Sequence, residues 1–332
     1  MVSVTSSREL TYAGALNLAL REEMARDPRV FVIGEDIGEG MPFGVTKGLR
    51  ERFGPERILD APISEAAIVG SAVGAAMTGM RPVVDMHFAD FATCAMDEVV
   101  NQLAKTRYMF GGQCAFPLTL RMPYGIGKSA GGHHSNSVEA WFLNTPGLKL
   151  CIPSTPADAK GLLATAIRDD DPVLVFEQRS LYRVSGPVPD GEHLVPLGRA
   201  DVKRPGRDVT VIATARMVHL ALEAADGLAA DGVAVEVVDP RSLVPLDTTT
   251  LVASVARTHR VVIVEEGPLR GGVGGHLAWV IMREAFDELD APIERVAAPN
   301  VPVPFAPVLE AAVSPQVATI VAAVRRTVGL GP

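Results

Sequence analysis

The sequence predicts an α/β protein built as two three-layer domains, each a mainly parallel sheet with helices on both faces. Three observations lead there. The chain has 332 residues, more than one compact domain usually holds. Short apolar runs such as Val30-Phe31-Val32-Ile33 alternate with stretches of helical period, the pattern of parallel strands buried on both faces. The rhythm breaks once, over residues 184–198, where Pro187, Pro189 and Pro196 fall among glycines, and then resumes.

In chain order, the periodicity predicts a helix over 12–26, a strand over 30–33, a helix over 64–79, a strand over 82–86 and a helix over 95–109. Strands follow over 117–121 and 148–152, then a helix over 156–168 and a strand over 172–177. Pro156 opens its helix, where a missing N–H costs least. The second set has strands over 208–213, 233–238, 260–265 and 292–296, with helices over 217–230, 248–257 and 315–327. The expected domains are therefore 1–185 and 200–332, joined by a linker over 186–199.

Composition excludes several classes. The net charge is -8, from 31 basic and 39 acidic residues, which argues against nucleic acid or an anionic membrane as the main partner. Aromatics are only 5% of a chain that is 48% hydrophobic, so small aliphatics must fill the core. Cys94, Cys114 and Cys151 are scattered, which predicts a reduced, cytoplasmic protein without a disulfide framework or a zinc site. The polar residues 1–8 lack an apolar signal core, and no apolar run is expected to span a bilayer.

The chemistry-bearing stretch is Ser64-Glu65-Ala66-Ala67-Ile68-Val69-Gly70-Ser71-Ala72-Val73-Gly74. Ser64 reads as an N-cap and Glu65 as a first-turn acid complementing the helix dipole. That is the simpler reading on spacing alone. The helix beyond is nearly free of polar groups, so burial is expected, and the carboxylate at its mouth would be partly desolvated, a setting common at functional sites. Gly70 and Gly74 share a face, and close packing should offset their cost of about 2 kcal/mol relative to Ala.

Other candidates carry alternatives too. Glu35 in Gly34-Glu35-Asp36-Ile37-Gly38 follows a strand and reads equally as an exposed loop acid or as the lining of a strand-end crevice. Phe91 reads as a core Phe. His133 and His134 follow the glycine-rich 125–132, a lid-like loop; they read as solvated histidines, as a metal pair lacking a third ligand, or as proton-transfer groups. Asp169-Asp170-Asp171 reads as a solvated acidic turn. Gly271-Gly272-Val273-Gly274-Gly275 lacks the spacing of a dinucleotide fingerprint and reads as a glycine-rich helix entry.

The string Arg57-Ile58-Leu59-Asp60-Ala61-Pro62-Ile63-Ser64-Glu65 resembles the beta subunit of the decarboxylating component of 2-oxoacid dehydrogenase complexes. Gly34-Glu35-Asp36, Phe88-Ala89-Asp90-Phe91, Lys105-Thr106-Arg107-Tyr108, His134-Ser135, Asp158-Ala159-Lys160-Gly161-Leu162 and Pro302-Val303-Pro304 fall in matching order. The resemblance implies a transketolase-like pyrimidine-binding domain followed by a transketolase C-terminal-like domain. It implies thiamine diphosphate, with Glu65 hydrogen-bonding the aminopyrimidine ring nitrogen, Phe91 stacking on that ring and Glu35 lining the crevice. It makes His134 a contact for the oxoacid carboxylate or an aid to acyl transfer onto lipoamide. His133 stands where many relatives have Gln or Tyr. It implies potassium held by oxygens of Leu118, Ala166, Ile167, Asp169 and Asp171. No Gly-Asp-Gly segment is present to hold Mg²⁺. The resemblance therefore implies an alpha subunit carrying the metal and diphosphate half, an α2β2 assembly, and docking to a lipoyl acyltransferase core. The expected substrate is pyruvate, a branched-chain 2-oxoacid or acetoin. The alternatives are carboligation without lipoamide, and a non-catalytic assembly role.

Overall fold

The computed structural model describes residues 6–331; residues 1–5, the start of the polar N-terminal stretch, lie outside them. The chain divides into two compact units. One runs to Tyr124 and takes in Trp141–Leu197; the other holds Gly125–Ala140 and the described chain from Gly198 on. The segment 125–140 thus groups with the second unit, which the sequence did not indicate.

Within the first unit, six strands lie in the order Lys149–Cys151, Val173–Gln178, Thr119–Tyr124, Arg81–Asp85, Val30–Gly34 and Ile58–Asp60, all parallel. The strand residues of Thr119–Tyr124 and Val173–Gln178 are all buried, as continuous apolar runs between helical layers should be. The helix Tyr12–Arg26 starts where the Thr11 hydroxyl accepts the Gly14 N–H. The helix Pro156–Arg168 starts where Thr155 accepts the Asp158 N–H.

Chain order and spatial order part company between Val30–Gly34 and Arg81–Asp85. From Val30–Gly34 the chain first goes outward to Ile58–Asp60, then returns to the other side. That reversal leaves a crevice beyond the carboxyl ends of the two strands, the usual ligand position in such sheets.

The second unit has the strands Glu294–Ala298, Val261–Pro268, Val209–Ala213 and Val235–Asp239 in parallel, with Asp201–Arg204 antiparallel at the edge. Helices Arg216–Ala229 and Val317–Thr327 bury Met217, Val218, Ile320 and Val324 on one face. Helices Thr248–Thr258 and Val273–Glu284 bury Leu251, Val255, Leu277 and Ile281 on the other.

Two expectations need correction. The stretch read as a linker contains a strand, Ser185–Pro189, that pairs antiparallel with Ser7–Thr11; its prolines sit at the edge of a two-stranded ribbon, where an absent N–H is tolerated. Residues 307–327 are long and apolar enough to cross a bilayer by composition. They form two helices instead, Pro307–Val313 and Val317–Thr327, with Glu310 buried in the first and the second packed in the core.

The first unit's core is tied by one charged network. Arg121 is wholly buried. Its Nε and Nη2 donate to Glu177 at 2.8 and 2.6 Å, and its Nη1 donates to Asp85. Tyr182 donates its hydroxyl to Glu177 at 2.7 Å. Burial pushes the Glu177 carboxyl up and Arg121 pulls it back; the pKa of the guanidinium itself is raised by its two carboxylates. Arg121→Met would leave Asp85 and Glu177 buried without a cation. The expected loss in urea unfolding is about 3–5 kcal/mol; a loss well under 1 kcal/mol would make the network incidental.

Candidate active site

The switch-point crevice is built by close packing of small residues. A Cβ on Gly34 would meet Asp85 O at 2.8 Å, and one on Gly38 would meet Asp60 Oδ2 at 2.4 Å. Asp36 takes a left-handed φ of 51°. Asp60 accepts the Gly38 N–H at 2.7 Å and pairs with Arg50 at 2.5 Å. Asp60 thus clamps the turn that presents Glu35, which gives the Asp60 in the 57–65 string a physical task. Ala61 N–H donates to Gly34 O at 2.9 Å, so the chain leaves this edge and reaches Glu65 four residues on.

On the other side of the crevice, Asp85 accepts the His87 N–H at 3.0 Å, and His87 has a φ of 60°. Arg121 O accepts the Met86 N–H at 3.1 Å. The buried network therefore fixes this turn. Glu35, Asp36 and His87 bring their ligand atoms within 4.8 Å of one another. Among the described residues this is the one such trio able to hold a metal ion. Sequence reading missed Asp36 and His87, because the two turns are about fifty residues apart; the strand order was the signal that could have found them.

Phe91 lies half-buried on the 3₁₀ helix Ala89–Ala95. It meets Phe88 edge to face at 5.8 Å, and Phe88 is braced by Phe43 at 5.5 Å and by the Arg179 guanidinium at 4.9 Å. An aromatic cluster, not a lone core Phe, thus holds the ring.

Glu65 is half-buried and opens the helix Glu65–Met77. Ser64 occupies the cap position, but its side chain makes no capping bond, contrary to the sequence reading. The helix is buried on one side only, through Ile68, Val69, Ala72, Val73 and Ala76. A Cβ on Gly70 would meet only Glu98 Cγ, at 3.5 Å, and one on Gly74 would meet nothing within 4 Å. The expected close packing on Gly70 and Gly74 is therefore not made among the described residues.

The potassium candidates are engaged by the chain's own donors. Leu118 O accepts Val173 N–H at 3.0 Å and Ala166 O accepts Asp169 N–H at 3.2 Å. Ile167 O and Asp169 O converge on Arg81 Nη1 at 3.1 and 3.0 Å. Lys149 lies 2.8 Å from the Asp169 carboxylate and 3.1 Å from that of Asp171. A cavity of about 580 Å³ adjoins Lys149 and Asp171, lined also by Arg107 and Tyr108; Glu35, Glu65 and Phe91 do not line it.

His133 and His134 belong to the second unit, His133 exposed and His134 half-buried. Their loop leads into Glu139, which is 2% exposed. Burial beside Glu266 and Glu265 pushes the Glu139 carboxyl up to about 8. The glycine-rich 271–275 wraps Glu265. A Cβ on Gly272 or Gly274 would strike its carboxyl at 2.3 or 2.4 Å, and its Oε2 accepts the Gly274 N–H at 2.9 Å. The chain's own carboxylate fills this helix start, which disposes of a dinucleotide there.

Comparison with known proteins defines the class first. Residues 8–185 match the transketolase pyrimidine binding domain and residues 198–320 the transketolase C-terminal domain. A split-gene transketolase, solved as an inactive beta4 tetramer, superimposes with a TM-score of 0.78 at 26% identity, covering 97% of this chain and 99% of that one. The chain is 47% identical over 304 residues to the 2-oxoisovalerate dehydrogenase subunit beta of Bacillus subtilis (strain 168), covering 91% of this chain and 93% of that one. It is 45% identical to the acetoin:2,6-dichlorophenolindophenol oxidoreductase subunit beta of the same organism, covering 92% and 93%. It is 44% identical to the mitochondrial pyruvate dehydrogenase E1 component subunit beta-2 of Oryza sativa subsp. japonica, covering 97% and 87%. The chain belongs to the transketolase-like family of 2-oxoacid dehydrogenase E1 beta subunits.

The raised Glu139 has a consequence for stability. Its folded pKa lies above its unfolded value, so its contribution is full below about 4.5 and is lost as pH rises through about 8. Glu139→Gln should remove that loss. The melting-temperature gain over wild type should grow from about pH 5 to about pH 9; a gain independent of pH would contradict the assignment.

Proposed function

We propose that the chain is the beta subunit of a thiamine-diphosphate-dependent 2-oxoacid or acetoin dehydrogenase, supplying the aminopyrimidine half of a site completed by an alpha subunit. The observation that carries this is the helix Glu65–Met77. It offers a half-buried carboxylate at its start and, at Gly74, a face that nothing among the described residues covers. A helix of this kind is complete only against another subunit.

The residues divide the work. Glu65 would donate a proton to the aminopyrimidine ring nitrogen and take it back, a task suited to a carboxyl group partly withdrawn from water. Phe91 supplies a braced face for that ring, and Glu35 lines the crevice. When bound, thiamine diphosphate supplies the carbon nucleophile that the cleavage of a 2-oxoacid or of acetoin requires. His134 assists passage of the acyl group to lipoamide, and the exposed His133 tunes the substrate end. The relatives' names favour oxidation over carboligation.

The alpha subunit holds Mg²⁺ in this proposal, in an α2β2 assembly that docks to a lipoyl acyltransferase core. Potassium is proposed at Leu118, Ala166, Ile167, Asp169 and Asp171; the first four carbonyls each accept one donor from the chain and keep a second lone pair for a cation. The three free cysteines favour a reducing compartment, and the cytoplasm is proposed.

Two experiments test this. In the assembled enzyme, Glu65→Gln should slow C2–H exchange of the cofactor by about 10²–10⁴-fold; near-normal exchange would remove Glu65 from the role. Gly74→Leu should leave the folding of this chain intact, because its side chain points at open space, yet abolish co-purification with the alpha subunit. Normal assembly of that variant would move the docking face elsewhere.

A further inference from the structure

The loop over 125–138 has no helix or strand of its own, yet it is held at defined points. Glu266 accepts the Ile126 N–H at 2.7 Å. Glu310, only 5% exposed, accepts the Gly127 N–H at 3.1 Å, the Ser129 N–H at 3.0 Å to each oxygen, and the Ser129 hydroxyl at 3.4 Å. All of these residues belong to the second unit.

The backbone explains how two N–H groups reach one carboxylate. Gly127 and Ser129 have φ of 105° and 50°. Left-handed residues turn nearby N–H groups into a concavity that takes an anion, and here the anion is the chain's own. A non-glycine residue in this region persists only where its surroundings hold it, so Ser129 depends on Glu310. The same segment seats the rest of the loop. A Cβ on Gly131 would meet Phe305 Cδ2 at 3.4 Å, and one on Gly132 would meet Val303 O at 3.7 Å. Gly131 O accepts the His134 N–H at 3.3 Å, and Gly132 O accepts from Asn136 Nδ2 at 2.6 Å. Glu310 thus ties residues 127–129, and the His134 N–H is held by Gly131 O two residues further on.

We infer that Glu310 is a positioning residue: its buried carboxylate fixes the backbone of residues 127–129 and thereby places His134 for acyl transfer. This rests on the role proposed above for His134. Glu310 touches no reacting atom in this account; it acts through the loop.

The test uses the enzyme assembled with its alpha subunit, as wild type, Glu310→Ala, Glu310→Gln, His134→Ala and the Glu310→Ala/His134→Ala double variant. Hydrogen exchange reads the tether, and lipoamide-dependent kcat reads the chemistry. Glu310→Ala should raise amide exchange at residues 127–131 by about 10–100-fold, the effect of losing hydrogen bonds to a charged acceptor. It should lower kcat by about 10–100-fold through displacement of the histidine. Glu310→Gln keeps an acceptor oxygen, so it should recover part of both and remains informative if the alanine variant does not fold. In the His134→Ala background, Glu310→Ala should change kcat less than about twofold, since the two act as one unit. Unchanged exchange in the Glu310 variants would overturn the tether. Raised exchange with undiminished kcat, or fully additive losses in the double variant, would overturn the positioning role. If His134→Ala alone keeps full kcat while exchange still rises in Glu310→Ala, the His134 reading has failed and the positioning role with it, whereas the tether stands.

Discussion

The first unit depends on a guanidinium with nowhere else to go. Arg121 is buried across the ends of the strands Arg81–Asp85, Thr119–Tyr124 and Val173–Gln178, bound to Asp85 and Glu177. Taking three charges out of water costs several kcal/mol each, repaid only when geometry and supporting hydrogen bonds are good. Tyr182 and the His87 N–H supply that support. The consequence reaches the site, because Asp85 also fixes the turn that brings His87 beside Glu35 and Asp36. The crevice is shaped by a core constraint, and the crevice residues inherit its rigidity.

The second unit uses acids differently. Glu265, Glu266 and Glu310 are each buried, and each accepts backbone N–H groups from a segment that lacks regular pairing. A carboxylate satisfied by N–H donors can be buried where a lone one cannot. Glu139 has no partner at Oε2, and burial, with Glu266 and Glu265 nearby, pushes its carboxyl up; burial raises Glu265 too, with the Gly274 N–H and Arg295 pulling it back.

How much of this was legible in the sequence follows from distance along the chain. The helices at Tyr12–Arg26 and Pro156–Arg168 and the parallel strands were legible, because apolar period and a Pro at a helix start are local signals. Glu65 was read as a site residue only through the ordered motifs around it, since its spacing alone reads as a helix-end acid. Ser64 misled: it has the cap's residue type without the bond. Gly70 and Gly74 were read as sites of close packing, although among the described residues only Glu98 comes near Gly70 and nothing comes near Gly74. Strand Ser185–Pro189 was hidden by its prolines, which an edge ribbon tolerates. The tie between Gly127 and Glu310 spans 183 residues, and no local pattern announces it.

The central claim is that this chain holds one half of a cofactor site. Titration calorimetry of Mg²⁺-thiamine diphosphate tests it most directly, with this chain alone, with the alpha subunit alone, and with the two mixed. The account predicts tight binding only in the mixture. Tight binding and substrate turnover by this chain alone would contradict it.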